Sequence, residues 1–401
     1  MNSPAAQTKF RVLHANVLTT LRYNHKTQMN LQSLETPSLV LDVERMQQNA
    51  DRLGKRISEL GARLRPHIKT HKCIEVARIQ NRGHAGPITV STLAEARAFM
   101  ANGFTDITYA VPIEPGKFCA TIEIAKRIER LSLLTDDPEI PPQLNESCRR
   151  AGVSLDLFLK VDCGYHRCGV ALDSNEAIQI PQQISALGNL RFAGILTHAG
   201  HSYLCRTEEE RLAIARQERD VMLEVARQLR NSGIAVPVVS IGSTPTITAV
   251  DHLNGVDEVR PGNYVFFDAF QASIGSCRLQ DCALTVLGAV VHRDVAGGRL
   301  VVDAGAVALS KDRGAMEFDP TCGYGRILDC EGNDLGLHVQ SLSQEHGEIA
   351  VQSWAGLNHL KVGTRIRILA NHSCLTAAQH THYNILKRNE IVDRWPIQRG
   401  W

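Results

Sequence analysis

From Glu35 onward, short apolar runs alternate with amphipathic helical patterns, and this alternation constrains the fold more than any other feature. Eight strand candidates begin near residues 63, 88, 106, 130, 155, 192, 238 and 258. Strands that alternate with helices pair in parallel as βαβ units. Eight such units can close a (β/α)8 barrel, so we predict a TIM-type barrel within residues 35–280. An open doubly wound sheet is the alternative, although no G-x-G-x-x-G follows the first strand.

The segment before the first barrel strand has the clearest helical period. A strand is predicted over residues 38–43, and a helix follows over residues 44–60, because apolar residues recur there at steps of three and four. That stripe consists of Met46, Ala50, Leu53, Ile57 and Leu60. Further helices are predicted over residues 93–101, 122–130, 142–151, 174–185 and 208–230.

From about Cys282 the pattern changes to short β-rich runs separated by Gly-rich turns. These runs cover residues 284–291, 300–302, 348–351 and 364–369. We therefore predict a second, mainly β domain over residues 281–401.

Residues 1–34 contain four basic residues and no acidic one. They lack the apolar core of a signal peptide. We interpret them as a flexible arm, or as an over-extended start with the true first residue at Met29; a weak organellar presequence is the alternative.

Composition excludes several classes of function. Hydrophobic residues make up 43% and charged residues 21% of the 401 residues, as in ordinary globular proteins. The net charge of +2 gives no reason to propose nucleic acid or membrane lipid as a partner. Eleven scattered cysteines without a C-x-x-C favour a reduced, cytoplasmic protein.

Polar residues cluster where the predicted barrel strands end, and barrel enzymes carry their chemistry at these ends. Gly242, Ser243 and Thr244 follow the seventh strand, and Gly262 and Asn263 follow the eighth. Small residues there let backbone N–H groups approach a phosphate, although ordinary turn chemistry would select the same residues.

Lys69 lies at the end of the first barrel strand, in the run from Arg65 to Lys72. Partial desolvation lowers the pKa of an amine and makes it a candidate Schiff-base nucleophile, whereas an exposed loop lysine is the ordinary alternative. A lysine beside a phosphate cradle is what a pyridoxal phosphate enzyme needs.

His372 and Cys374 follow the last predicted strand. Along an extended chain, residues of one parity share a face, so both side chains are expected to point inward. Imidazole and thiolate suit Zn²⁺, but a core histidine beside a buried cysteine is the alternative. Further histidines that are candidate acids, bases or supporting groups are His71, His166, His198, His201 and His346.

Together these motifs resemble the fold-type III pyridoxal phosphate enzymes, and more narrowly the group of D-serine dehydratase, D-threo-3-hydroxyaspartate dehydratase and D-threonine aldolase. The resemblance extends from Thr36 to nearly the end of the chain. It implies that Lys69 binds the cofactor covalently and that Arg167 contacts its phenolic oxygen. It also implies that His198 and Tyr203 contact the ring, that residues 242–246 bind the phosphate, and that His372 and Cys374 bind a divalent metal, with zinc favoured over manganese, cobalt or magnesium.

The H-x-C motif ending at Cys374 resembles the dehydratases of the group, whereas the aldolases tend to H-x-D. The expected activity is therefore conversion of a D-3-hydroxy amino acid to a keto acid and ammonia, in a homodimer. A D-threonine aldolase is the main alternative. A racemase would need a second base, for which the sequence offers no clear tyrosine, and a non-catalytic cofactor carrier would resemble the barrel alone.

Overall fold

The computed structural model describes residues 29–401 and contains two sheets. The first is an eight-stranded parallel sheet in the order β2-β9-β8-β7-β6-β5-β4-β3. Its strands are β2 (Arg63–Leu64), β3 (Ile88–Val90), β4 (Asp106–Pro112), β5 (Arg130–Thr135), β6 (Leu155–Lys160), β7 (Leu190–Leu196), β8 (Val239–Ile241) and β9 (Glu258–Val259), and β1 (Ser38–Asp42) precedes them. A parallel bridge between His67 and Thr89 joins the two ends of the sheet. The ring is therefore closed, which confirms the barrel and excludes the open sheet.

Helices connect the barrel strands, as the sequence predicts. They are α1 (Val43–Glu59), α2 (Ile74–Gln80), α3 (Leu93–Met100), α4 (Phe118–Ala125), α5 (Ile140–Ala151), α6 (Glu176–Ala186), α7 (Glu208–Asn231), α8 (Thr244–Ala249) and α9 (Ala269–Ser273). Helix α1 begins where Asp42 accepts a hydrogen bond from the Arg45 N–H, and it buries the predicted apolar stripe as far as Ile57. The prediction over residues 122–130 is wrong at both ends, because α4 begins at Phe118 and Arg130 already starts β5.

The second sheet has nine strands in the order β11-β14-β13-β12-β15-β10-β1-β16-β17. Its remaining elements are β10 (Leu284–Asp294), β11 (Arg299–Val302), α10 (Ala306–Leu309), β12 (Gly325–Leu328), β13 (Asp334–Leu342), β14 (Gly347–Ala350), β15 (Arg365–Ala370), α11 (Ser373–Gln379), β16 (His382–Lys387) and β17 (Glu390–Pro396). The structure differs from the predicted boundary at residue 35, because β1 pairs with β10 and β16 in this sheet. One hydrophobic cluster contains buried residues of both domains, so the barrel and the β domain share a core.

The predicted arm ends earlier than residue 34. Leu31 and Leu34 are buried against Val40, Leu287 and Leu386. The chain is therefore packed from this point, and the rest of the predicted arm, residues 1–28, lies outside the described residues. No helix among residues 29–401 is long and apolar enough to cross a membrane.

Candidate active site

A cavity of about 640 Å³ lies at the carboxyl ends of the barrel strands, where the β domain packs over the barrel. Its volume is in the range of small-molecule sites. The predicted site residues all line it: Lys69, Arg167, His198, Tyr203, Gly242, Ser243, Thr244, Gly262, Asn263, His372 and Cys374. The structure thus brings together residues that are up to 305 positions apart in the sequence.

Lys69 lies in a single 3-10 turn, Ile68–Thr70, just beyond β2. Its amine makes no hydrogen bond to any residue within 29–401 and faces the cavity. Desolvation lowers the pKa of Lys69, and the Arg167 guanidinium adds to this, while a Cys374 thiolate opposes it. A partly neutral amine in an open cavity is suited to nucleophilic attack or proton removal.

Both domains hold the turn that carries Lys69. The Tyr383 hydroxyl donates to the His71 carbonyl at 2.7 Å, and the Gln398 N–H donates to the Lys72 carbonyl at 2.7 Å. The His71 ring accepts from the Cys73 N–H at 3.0 Å, so its other nitrogen donates to Gln80 at 3.0 Å. Desolvation lowers the pKa of His71 to about 3, and His71 is therefore a neutral structural group rather than the acid or base considered above.

Two basic residues that the sequence analysis did not assign also line the cavity. Lys160 ends β6, and Arg260 follows β9. Desolvation lowers the pKa of Lys160 to about 8 and that of Arg260 to about 10. With Lys69 and Arg167 they make four basic groups in the lining, which contains no aspartate or glutamate among the described residues. The cavity is therefore suited to anionic ligands.

The two predicted phosphate loops lie beside the Lys69 turn. Gly242 has a φ of +119°, which L-residues with side chains rarely adopt. A Cβ on Gly262 would lie 2.8 Å from the His67 carbonyl oxygen and 3.0 Å from the Thr70 hydroxyl oxygen. Glycine at position 262 is thus required for the close approach of this loop to the lysine turn, whatever ligand the loop binds.

His372 and Cys374 both face the cavity, but not for the predicted reason. Strand β15 ends at Ala370, His372 is the residue directly before α11, and Cys374 lies in the first helical turn. The extended-chain parity argument is therefore wrong. Both side chains line the cavity, and the Cys374 sulfur lies 3.4 Å from the Thr70 hydroxyl, next to Lys69.

This pair is electrostatically coupled. Desolvation would lower the pKa of His372, but the Cys374 thiolate and a 2.8 Å hydrogen bond from His372 Nδ1 to Asp312 raise it well above its usual value. Desolvation would likewise raise the pKa of Cys374, but the His372 imidazolium holds it below its usual value. Within residues 29–401, no group of three or more His, Cys, Asp or Glu side chains could hold a metal ion. The structure places one imidazole and one thiol side by side in the cavity, with Asp312 orienting the imidazole.

The remaining predicted histidines divide into two groups. His198 lines the cavity, and desolvation and the Lys69 charge lower its pKa well below the usual value, so the ring is neutral and donates from Nδ1 to the Gly242 carbonyl at 3.3 Å. His166, His201 and His346 do not line the cavity in the described part of the chain. His166 is exposed and contacts Asp162, so its role is local.

Two tyrosines line the cavity, although the sequence offered no clear tyrosine as the second base of a racemase. Tyr203 is a predicted ring contact, whereas Tyr165 was not singled out. The Tyr165 ring lies under the Arg167 guanidinium, 5.1 Å from its carbon, and it packs so closely on Gly200 that a Cβ there would lie 2.2 Å from the ring. Glycine at position 200 is the sequence feature that allows this close packing, but it could not be interpreted without knowing that Tyr165, 35 positions earlier, lies against it.

Buried histidines predict loss of stability in acid. The unfolded chain protonates His71 near its ordinary pKa of about 6.5, whereas the folded chain does so only near pH 3. The unfolded state therefore binds more protons between these values, so this stability is complete above about pH 6.5 and falls as the pH drops towards 3. The expected slope is about 1.4 kcal/mol per pH unit for this group.

We expect His71→Gln to reduce that slope, measured by urea denaturation between pH 7.5 and 5. A His84→Gln variant, which changes an exposed ring, serves as the control and should keep the wild-type slope. An unchanged slope in His71→Gln would mean that another group governs acid unfolding.

Comparison with known proteins identifies the class first. The family model "Alanine racemase, N-terminal domain" matches residues 41–269. The barrel is therefore of the alanine racemase type. A second model, for a serine dehydratase domain, matches residues 283–386, which correspond to the β domain.

Individual relatives narrow the class. The chain is 39% identical to D-threo-3-hydroxyaspartate dehydratase of Delftia sp. strain HT23, over 93% of this chain and 100% of the relative. It is 33% identical to D-serine dehydratase of Dictyostelium discoideum, over 93% and 98% of the two chains. It is 29% identical to D-threonine aldolase of an Arthrobacter species, over 92% and 94%. The chain belongs to this family, in which an alanine racemase-type barrel precedes a serine dehydratase domain.

Solved structures agree with this assignment. The Delftia dehydratase structure matches with a TM-score of 0.90 and 39% identity, over 93% of this chain and 100% of that one. A cysteine-to-alanine mutant of D-threo-3-hydroxyaspartate dehydratase, solved in a metal-free form, matches with a TM-score of 0.89 and 38% identity, over 93% and 100%. The sequence-based family resemblance is thereby confirmed.

Proposed function

We propose that this protein is a pyridoxal phosphate- and metal-dependent dehydratase of D-3-hydroxy amino acids. Its substrates would be D-threo-3-hydroxyaspartate or D-serine, converted to a keto acid and ammonia. The observation that carries this proposal is the shared cavity: the Lys69 amine, without a partner among residues 29–401, lies beside the coupled His372–Cys374 pair. The Lys69 amine could accept a proton, and the His372–Cys374 pair could hold a divalent metal that would act on the substrate hydroxyl.

The residues present fit an anionic, phosphorylated cofactor. The lining has four basic groups and no carboxylate among the described residues, so basic groups outnumber the single Cys374 thiolate that a phosphate would meet there. Residues 242–244 and 262–263 would hold the phosphate, Lys69 would bind the aldehyde carbon, and Arg167, His198 and Tyr203 would contact the ring. When bound, this cofactor supplies an electron sink for a carbanion at the substrate Cα.

The His372–Cys374 pair fits a borderline-soft divalent metal, for which zinc is the first candidate. Because His372 Nδ1 donates a hydrogen bond to Asp312, Nε2 of His372 is the nitrogen that would bind the metal. When bound, such a metal supplies Lewis acidity towards the β-hydroxyl of the substrate.

The chain's own groups then account for proton transfer and orientation. Because desolvation lowers the pKa of Lys69, more of its amine is neutral and able to accept the Cα proton near neutral pH. Arg167, exposed in the cavity and unpaired with any described carboxylate, can orient a substrate carboxylate or a cofactor oxygen. The β domain contributes His372 and Cys374 to the same cavity.

Product identification tests this proposal. The purified protein, supplied with pyridoxal phosphate and zinc, is incubated with D-threo-3-hydroxyaspartate, D-serine and D-threonine, each with and without a chelator. We expect ammonia and a keto acid from at least one of the first two, and loss of that activity with chelator. A yellow protein that is inert to all three substrates would instead support a non-catalytic cofactor carrier.

A D-threonine aldolase is the second candidate, because one relative has this activity at 29% identity. Glycine and an aldehyde, in place of ammonia and a keto acid, would decide for it. The two dehydratases have higher identities, and Cys374 occupies the position at which the sequence pattern distinguishes the two activities.

We also propose a homodimer in the cytoplasm. Leu204 is 66% exposed beside the cavity mouth, with Val111 on the same rim, and a second copy would cover such apolar side chains. All eleven cysteines are free, which suits a reducing compartment.

A further inference from the structure

Glu218, in the middle of α7, is a fully buried carboxylate that neither the sequence analysis nor the mechanism uses. It does not line the cavity, so it does not touch substrate or cofactor. We propose that Glu218 is a positioning residue that holds the loops after β7 and β8 in their phosphate-binding arrangement. This inference rests on the proposed function, because it assumes that these loops bind a phosphate.

The carboxylate bridges the two loops through their backbones. Its Oε1 accepts hydrogen bonds from the Ala199 N–H and the Gly242 N–H, both at 3.0 Å. Its Oε2 accepts one from the Thr246 hydroxyl at 2.9 Å. One side chain of α7 thus satisfies a donor after β7 and two donors after β8, all buried.

Beyond the ends of β7 and β8, these hydrogen bonds take the place of the backbone pairing between the two strands. Strands β7 and β8 pair at only two positions, and the last backbone bond between them runs from the Thr197 N–H to the Ser240 carbonyl at 3.1 Å. Two residues after Thr197 and Ser240, beyond the ends of both strands, the N–H groups of Ala199 and Gly242 donate to Glu218 instead. Without an acceptor there, two buried N–H groups would lose their partners, and the loops would separate or rearrange.

A chain of hydroxyls completes the connection. The Thr246 hydroxyl lies 3.0 Å from that of Ser243, which lies 2.9 Å from the Ser202 hydroxyl. Ser202 in turn donates to the Ala199 carbonyl at 2.7 Å. The circuit therefore begins and ends at Ala199, and it includes Ser243, a cavity-lining residue of the predicted phosphate site. The nearby charge of Arg260 compensates the buried carboxylate.

The test compares two ligands that differ only in the phosphate. The full-length apoenzyme is titrated with pyridoxal phosphate and with pyridoxal, and the ratio of the two dissociation constants measures phosphate recognition. For Glu218→Ala we expect pyridoxal phosphate to bind about tenfold more weakly or worse, with pyridoxal nearly unaffected. Glu218→Gln should stay close to wild type, because its amide can accept both N–H bonds and donate to the Thr246 hydroxyl, which can donate to the Ser243 carbonyl.

Two further variants keep the test decisive. Thr246→Val removes the hydroxyl that donates to Glu218, together with its contacts to Ser243, and keeps the carboxylate bonds to the two backbone N–H groups. If Glu218→Ala does not fold, a reduced ratio in Thr246→Val supports the proposal, while an unchanged ratio overturns it. Glu224→Gln, at a half-buried position of the same helix whose carboxylate pairs with Arg227, should retain the wild-type ratio. Equal losses of both ligands in Glu218→Ala would show a general structural role and overturn the proposal. A wild type that does not distinguish the two ligands would instead refute the phosphate site itself.

Discussion

Replacing Lys69 with alanine should abolish turnover, by at least about 10³-fold, because it removes the group that we propose as both covalent attachment point and proton acceptor. The visible absorbance of the lysine-bound cofactor should disappear as well, since no other described side chain has an unpartnered amine in this position. The measurement is the absorbance spectrum of the purified variant with added pyridoxal phosphate, together with the rate of ammonia release from the best substrate.

The matched control is Lys160→Met, because Lys160 is the other lysine in the cavity. Its amine donates to the Val161 carbonyl at 3.2 Å and is buried, whereas Lys69 is open to the cavity. We expect Lys160→Met to keep the visible absorbance. Borohydride reduction of the wild type followed by peptide mapping should place the cofactor on Lys69. A label on Lys160, or a coloured Lys69→Ala protein, would contradict the assignment.

Replacing Cys374 with alanine should remove the metal and nearly all turnover while leaving the cofactor absorbance intact. His372 and Cys374 are the two proposed protein ligands, so the loss of Cys374 leaves His372 alone, which is too few for stable binding. Lewis-acid activation of a hydroxyl contributes several kcal/mol to the barrier, so the rate should fall by at least about 10²-fold. Metal content by elemental analysis, absorbance and ammonia release are measured on one preparation.

Cys168→Ala is the control for this experiment, since Cys168 also lines the cavity and is half-buried. It should retain metal and activity. Simultaneous loss of cofactor absorbance and turnover in Cys374→Ala would show that the thiol supports the cofactor site. Full turnover in a metal-free Cys374→Ala protein would exclude the metal from the reaction.

The local elements were predictable because they follow from periodicity. The apolar stripe from Met46 to Ile57 identified α1, and seven of the eight barrel strands begin within one residue of the prediction, with β7 two residues earlier than expected. The exception among the helices, α4, is instructive. Its apolar residues Ile122 and Ile124 run on towards Leu131, and no capping residue marks where the helix ends and β5 begins.

Site residues were predictable where they lie in a short, recognisable sequence pattern. Lys69, Gly242, His372 and Cys374 stood out because each lies in a polar or Gly-rich run after a strand, and the structure brings them into one cavity. Their catalytic and ligand roles stay predictions. Lys160 and Glu218 had no such signal, because an isolated charged residue in a strand or helix is indistinguishable from a surface residue until its burial is known.

The sequence by itself determined the order of strands and helices, the change to a β domain near residue 282, and the chemical groups available. The tertiary structure alone decided that β1 joins the second sheet, that residues 373–379 form a helix, and that Cys374 lies 3.4 Å from Thr70 across 304 positions of chain. The physical reason is range: periodicity and turn chemistry act between residues a few positions apart. Pairing, burial and the resulting pKa shifts depend instead on which distant surfaces the folded chain brings into contact.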